Sequence, residues 1–348
     1  MSASNISIQQ SVVDNKLAVS FKLLLGLYLV IPLSFLVYIV DQYYWGSYLK
    51  SILPSRPEHF IIFQILFGTP HIVASAILLI SNKEYLRFYQ LKLLVMTALI
   101  ILVFGIGSLF IPYRVLYIAA ACWTVYHVFK QQHGIAKGVC RLPGWAFYWL
   151  LWVSVSAGVF IYMGVFLKNS LDVQQAEWVK MIAFVLTFGL ILSSILCQRY
   201  IKTTFGKWFL WSNTLLIVSS FFMYTQQYYF LAILIPRLVH DATAYVFYVT
   251  HDYNKHHQMS QNILFKYAAR CHLHVFLVLP LFSFALAYVL QAYGDEMVNI
   301  ITRFFFDSEI RQAISLGLIG YLSLMHYYTE SFTWQAGSPL RKYIRFSK

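Results

Sequence analysis

The stretch LLVMTALIILVFGIGSLFI, Leu93–Ile111, decides how the rest of the chain is read. It holds no charged side chain, and its length is close to the roughly 20 residues an α-helix needs to cross the hydrocarbon core of a bilayer. Comparable apolar runs occur at Phe21–Val40, Phe60–Ile80, Val115–Phe129, Trp145–Leu167, Val179–Cys197, Trp208–Tyr224, Tyr229–Val249, His274–Ala292 and Ile310–Tyr328. Together they predict an all-α, polytopic bundle of about ten transmembrane helices. The fourth run is short and the connections around Pro112 and Thr225 are tight, so nine spans or a re-entrant segment is the alternative count.

Composition points the same way. Of 348 residues, 59% are hydrophobic, 18% aromatic and only 11% charged, against roughly 45–50% apolar and 25% charged in ordinary soluble domains. No polar linker separates the apolar runs, which predicts a short cytoplasmic tail over 1–20, a single transmembrane domain over 21–330 and a basic cytoplasmic tail over 331–348. Met1–Ala18 is largely polar and lacks the basic region, short apolar core and cleavage site of a secretory signal, so the first helix is expected to stay in place. Cys122, Cys140, Cys197 and Cys271 show no CxxC spacing and are read as reduced thiols rather than a disulfide frame or a zinc ribbon.

The net charge of +13 reports orientation rather than a nucleic-acid partner. With the N-terminus inside, the inner loops hold Lys83, Arg87 and Lys92, then Lys130, Lys137 and Arg141, then Arg199, Lys202 and Lys207, then Lys255, Lys266 and Arg270. Lys16, Lys22 and the tail residues Arg341, Lys342, Arg345 and Lys348 join them, which favours an N-in, C-in topology in the inner membrane of a bacterium. Tyr43, Tyr44, Trp45, Trp145 and Trp208 near segment ends fit interfacial belts. The expected partners are the lipid bilayer and a lipophilic small molecule; oligomeric state is not legible.

In this topology all the histidines except His59 fall in the inner half of a helix or at the cytoplasmic face. Neutral imidazole is the commonest protein ligand for iron, zinc or copper, and converging helices can present it from residues far apart in sequence. His71 and His240 both lie about nine residues from the inner ends of their helices, roughly 14 Å, and meet if those helices are neighbours. His326 and Glu330, four apart, share a helix face and suit a common cation or a carboxylate that orients a histidine. His127 is preferred to His133, which points about 60° away and belongs to a later turn.

The densest polar patch is Pro236-Arg237-Leu238-Val239-His240-Asp241, followed by His251-Asp252 and His256-His257. Arg237 and Asp241 are spaced to pair, and ionisable groups near a bilayer midplane, at a cost of at least about 2.5 kcal/mol each, mark a functional site. Pro236 is expected to weaken the helix. His240 and His251, eleven positions apart, share a face but stand roughly 16 Å apart along a straight helix, so one of them serves elsewhere unless the helix breaks. His59, His133, His256, His257, His272 and His274 are read as solvated or interfacial.

Phe67-Gly68-Thr69-Pro70-His71 resembles the GxPH element of the bacterial and archaeal retinal-forming β-carotene dioxygenases, the bacteriorhodopsin-related membrane family. His127 in Tyr126-His127-Val128-Phe129, the histidine-rich helix around His240 and the near-terminal His326 follow a similar order. The resemblance implies a membrane helix bundle that holds iron through histidines and cleaves a lipid-dissolved polyene with molecular oxygen. Ala74 and Ser75 stand where the aspartate after that family's first histidine is expected, and its paired HxxxH is replaced by His240 and the remote His251. The run His251-Asp252-Tyr253-Asn254-Lys255-His256-His257 also looks like one histidine box of the di-iron fatty-acid desaturases and hydroxylases, without the other boxes.

The expectation is therefore a non-haem iron (Fe2+) oxygenase that uses molecular oxygen on a carotenoid-like or acyl lipid. His71, His127, His240 and His326 would hold the metal, with His251 and Glu330 as further candidate ligands and Asp241 and Arg237 as supporting catalytic groups. The alternatives are a di-iron desaturase, a transporter with Arg237, His240 and Asp241 as a proton relay, and a non-catalytic scaffold. No DDxxD-like cluster supports prenyl or phosphoryl transfer.

Overall fold

The structure, a computed structural model, describes residues 16–54, 64–258, 262–307, 311–335 and 337–347; His59 and the first 15 residues lie outside them. The chain is all-α apart from two short strands, β1 (Ala18–Ser20) and β2 (Arg345–Ser347). The helices are α1 (Phe21–Tyr43), α2 (Tyr48–Ile52), α3 (Thr69–Ile80, entered through a π-turn at Gln64–Gly68), α4 (Lys83–Leu109) and α5 (Tyr113–Cys140). They continue as α6 (Gly144–Phe166), α7 (Val173–Tyr200), α8 (Thr204–Thr225), α9 (Tyr229–His256), α10 (Ile263–Arg270), α11 (Val275–Phe306) and α12 (Arg311–Thr333).

Among the described residues, six helices are long and apolar enough to cross a membrane: α1, α4, α6, α7, α9 and the Val275–Gly294 part of α11. Helices α5, α8 and α12 are of similar length, 28, 22 and 23 residues, but more polar. The reason lies in their inward faces, where α5 carries His127, Gln132 and His133, α8 carries Asn213 and Thr214, and α12 carries His326 and Thr329, all buried. Large apolar side chains cover much of the outer surface instead, with Leu91 72% exposed and Leu94 67% exposed, an inversion expected where the solvent is lipid.

Among the described residues each of the ten apolar runs carries a helix, and several helices overrun the sequence boundary: α4 begins at Lys83, α7 at Val173, and α11 runs on to Phe306. Helix α5 continues past Phe129 to Cys140, and the lysines expected in a loop lie along it, Lys130 over the ring of Tyr126 and Lys137 over Phe147. Long lysine stems lie on apolar surface while the charge reaches outward. Helix α9 continues past Val249 to His256.

Side-chain caps set several helix starts. Asp172 accepts from the backbone N–H of Gln175 at 2.8 Å while the Gln175 side chain returns to the backbone of Asp172, a capping box at α7. Thr203 caps α8 and Asn262 caps α10.

Helix α9 is the common wall between two cores. Its Leu231, Ile235 and Val239 pack with α5, α6, α7, α8 and α1, while Ala244 and Tyr248 pack with α3, α4 and α12. Burial on both sides requires its polar groups to find partners inside the protein. Pro236 does not break this helix: Ser220 Oγ donates to the Ala232 carbonyl at 2.6 Å, satisfying the acceptor that a proline four residues later leaves without its N–H.

Both described ends of the chain meet at one face. β1 and β2 pair in parallel, Ala18 beside Arg345, and the Phe21 and Phe346 rings stack at 4.9 Å. Asn254, near the end of α9, accepts from Leu17 N at 2.7 Å and donates to the carbonyls of Leu17 and Tyr343.

Candidate metal centre

The first wall of the site is Gly68-Thr69-Pro70-His71. Pro70 sits in the first turn of α3, where a missing N–H costs nothing. Gly68 admits Arg237, because a Cβ there would lie 3.2 Å from Arg237 Nη2 and 2.2 Å from Gln64 Oε1. Gln291 of α11 donates to Thr69 Oγ1 at 2.7 Å. These contacts hold the start of α3 against α9 and α11 and set His71, 0% exposed, facing inward.

Three more imidazoles meet it, each from a different helix. The ring centroids of His71 and His240 are 5.2 Å apart, those of His240 and His127 4.8 Å, those of His127 and His326 4.8 Å, and those of His326 and His71 4.8 Å. The diagonal from His240 to His326 is 6.4 Å. The four rings close a cycle, and helices α3, α9, α5 and α12 touch in the same cyclic order. Adjacent rings stand at 72–88° to one another, edge to face rather than stacked.

Ligand atoms of His71, His240 and His326 lie within 4.8 Å of one another, as do those of His127, His326 and Glu330. His326 belongs to both groups. Both ring nitrogens of His240 and His326, and Nε2 of His127, are buried without a hydrogen-bond partner. A buried polar atom so placed costs about 1–3 kcal/mol unless something compensates it, and several aimed at one point can hold a cation. Tetrahedral nitrogens at ~2.05 Å from an ion are about 3.3 Å apart, against the 4.8 Å within which these ligand atoms lie.

Two carboxylates flank the imidazoles. Asp241 Oδ1 is 3.2 Å from His71 Nδ1, 3.8 Å from Arg237 Nε and 4.0 Å from His240 Nε2. Glu330 Oε2 is 3.4 Å from His127 Nε2 and 4.0 Å from His326 Nε2. The closest of these approaches are within reach in distance, yet neither Asp241 Oδ1 nor His127 Nε2 is aligned for a hydrogen bond. The other Glu330 oxygen is fixed, accepting from Trp334 Nε1 at 3.1 Å and from the Tyr248 hydroxyl. With all four imidazoles neutral and both carboxylates ionised, Arg237, Asp241 and Glu330 sum to one negative charge, which a dication would reverse to one positive.

The structure thus brings together His71, His127, His240, His326, Glu330, Asp241 and Arg237 from the sequence reading. His251 stands apart. Three turns along a continuous α9, its Nε2 bonds to the Tyr85 hydroxyl at 2.8 Å and its Nδ1 to Asp252 at 2.9 Å, so both ring nitrogens are engaged and neither is left for a metal. His133 bonds Ser154 Oγ at 2.9 Å, His256 stacks on Phe265 at 4.1 Å, His257 donates to the Tyr253 carbonyl, His272 is exposed and His274 caps α11 through Phe276 N. The histidine-box segment therefore contributes no ligand group, and Gly68, Tyr248 and Trp334 emerge as supports to which the sequence reading gave no role. Trp334 was accessible to it, lying four residues after Glu330 on the same face.

One side of the cluster adjoins a cavity of about 220 Å³ between α3, α4 and α12, on whose wall His326 lies. Comparison of the chain with protein-family models, with curated proteins and with solved structures finds no match.

Proposed function

We propose that this protein is an integral-membrane, non-haem iron oxygenase acting on a lipophilic substrate, a polyene or an acyl lipid. The observation that carries the reading is the closed cycle of four imidazoles from four helices, with the inward nitrogens of His127, His240 and His326 unsatisfied. Nitrogen-rich sites with a nearby carboxylate suit iron, zinc or copper, and iron alone among these matches the order of motifs that resembles the retinal-forming dioxygenases. Bound iron(II) would supply the centre at which molecular oxygen is activated. The chain's part is to hold His71 in orientation through Asp241 at its Nδ1, to offer Glu330 as a ligand beside His127 and His326, to balance Asp241 with Arg237, and to exclude water.

The same reading places ten crossings in the bilayer with both tails inside. Pairing of β1 with β2 supports an even number, and the basic residues of the inner loops support the orientation. Two ligand groups sharing His326 favour a single centre over a di-iron site.

The test is plasma mass spectrometry of detergent-purified protein, with His71→Ala, His240→Ala and His326→Ala variants confirmed to fold. Near-stoichiometric iron lost in all three variants is expected, followed by oxygen uptake on a panel of carotenoids and acyl lipids. Wild-type protein that takes up no iron after anaerobic reconstitution overturns the proposal and directs work to proton-coupled transport through Arg237, His240 and Asp241.

A further inference from the structure

The cavity between α3, α4 and α12 has walls of Ile72, Leu79, Leu93, Leu322 and Met325, with His326 at one side. Two of its hydroxyl groups are turned to protein partners: Thr329 Oγ1 donates to the His326 carbonyl at 3.1 Å, and the Tyr321 hydroxyl bonds Thr97 Oγ1 at 2.8 Å. What faces the space is mostly hydrocarbon, with the His326 imidazole at one side. About 220 Å³ falls short of the roughly 300–1,000 Å³ that encloses a whole small molecule, so an occupant leaves part of itself outside. Ile80, on the cavity wall, is 64% exposed, and Leu91 and Leu94 of α4 are exposed apolar side chains as well.

We infer that this cavity is the side entrance of the site, by which one hydrocarbon chain of a membrane lipid passes from the bilayer between α3 and α4 and lies against His326. Leu322 and Met325 set its width, four and one residues before His326 in α12, and the Thr97–Tyr321 bond ties α12 to α4 beside it. The inference rests on the proposed oxygenase reading for its purpose but not for its test. Chain entry depends on the walls, and metal content depends on the imidazoles.

The probe is a diazirine-bearing palmitic acid added to proteoliposomes, photolysed, and mapped by peptide mass spectrometry. Ile72 is 2% exposed, so a chain confined to the outer surface does not reach it, whereas Leu94 is open to any surrounding lipid. Carbene labelling at Ile72 and Met325 in addition to Leu94 is expected. In Leu322→Trp, and separately in Met325→Phe, the Ile72 label falls about tenfold because the added ring takes the space of the chain, while the Leu94 label persists. His326→Ala retains the Ile72 label although its metal is lost. Labelling confined to Leu91 and Leu94 in folded wild-type protein, or an Ile72 label unchanged in both filled variants, overturns the inference. Absence of iron alongside a labelled Ile72 overturns only the oxygenase reading.

Discussion

Glu330 Oε2 stands 3.4 Å from Nε2 of His127, and the two residues meet there because α5 and α12 lie side by side in the bundle. The carboxylate has no freedom to turn away, since Trp334 Nε1 and the Tyr248 hydroxyl hold its second oxygen. It is thereby positioned either to bind a cation with the histidines or to orient them around one.

From this follows the first expectation, for Glu330→Gln. The amide retains an acceptor for Tyr248 and Trp334 but removes the charge beside His127 and His326. Metal affinity should drop about 10- to 100-fold, the usual effect of losing an outer carboxylate at a histidine site, with little change in melting temperature of the metal-free protein. Competitive titration against a chelator measures it; unchanged affinity would mean that Glu330 has no part in the centre.

His326 and His251 should behave oppositely. His326→Ala removes the residue common to both ligand groups, so bound metal should vanish, along with the chelator-sensitive part of the stability, about 2.7 kcal/mol at 100-fold excess over Kd. His251→Ala should keep its metal and lose stability by about 2–4 kcal/mol, because the Tyr85 hydroxyl and Asp252 are left buried without the partner each now has. Metal loss in a well-folded His251→Ala protein would contradict the assignment of this residue to packing.

The buried Arg237–Asp241 pair, 3.8 Å apart, sets a double-mutant test. Asp241→Ala leaves a guanidinium uncompensated inside the bundle and should cost about 3–5 kcal/mol. Adding Arg237→Met to it should recover most of that loss without recovering metal binding. Thermal unfolding of the two singles and the double in one detergent decides it, and strictly additive losses would show that the two residues do not interact.

Ser220→Ala examines how α9 tolerates Pro236. Without the hydroxyl, the Ala232 carbonyl loses its 2.6 Å donor, an expected cost of about 1–3 kcal/mol for a buried acceptor. Restoring the backbone donor with Pro236→Ala should rescue the variant. If Ser220→Ala is neutral, the carbonyl is satisfied in some other way.

Asn254→Ala should release both ends of the chain together, because one amide side chain bonds Leu17 and Tyr343. Limited proteolysis from the tail side is expected to remove residues after Leu340 faster than in wild type, with metal retained. Cleavage confined to one terminus would show that β1 and β2 hold without it.

Composition and apolar periodicity alone placed the protein among helical membrane proteins, because the length and greasiness of a spanning segment are local properties written in about twenty consecutive residues. The pairing of His326 with Glu330 and of Arg237 with Asp241 was equally legible, being fixed by four-residue spacing on one helix. Which helices touch was not. Nothing local tells α3 to pack between α9 and α12, so the cycle of His71, His240, His127 and His326, the passage beside His326, and the meeting of Ala18 with Arg345 were decided by tertiary packing alone. His251 illustrates the limit: its sequence surroundings look as metal-rich as those of His240, and only the bundle shows that Tyr85, brought from another helix, already occupies the nitrogen a metal would need.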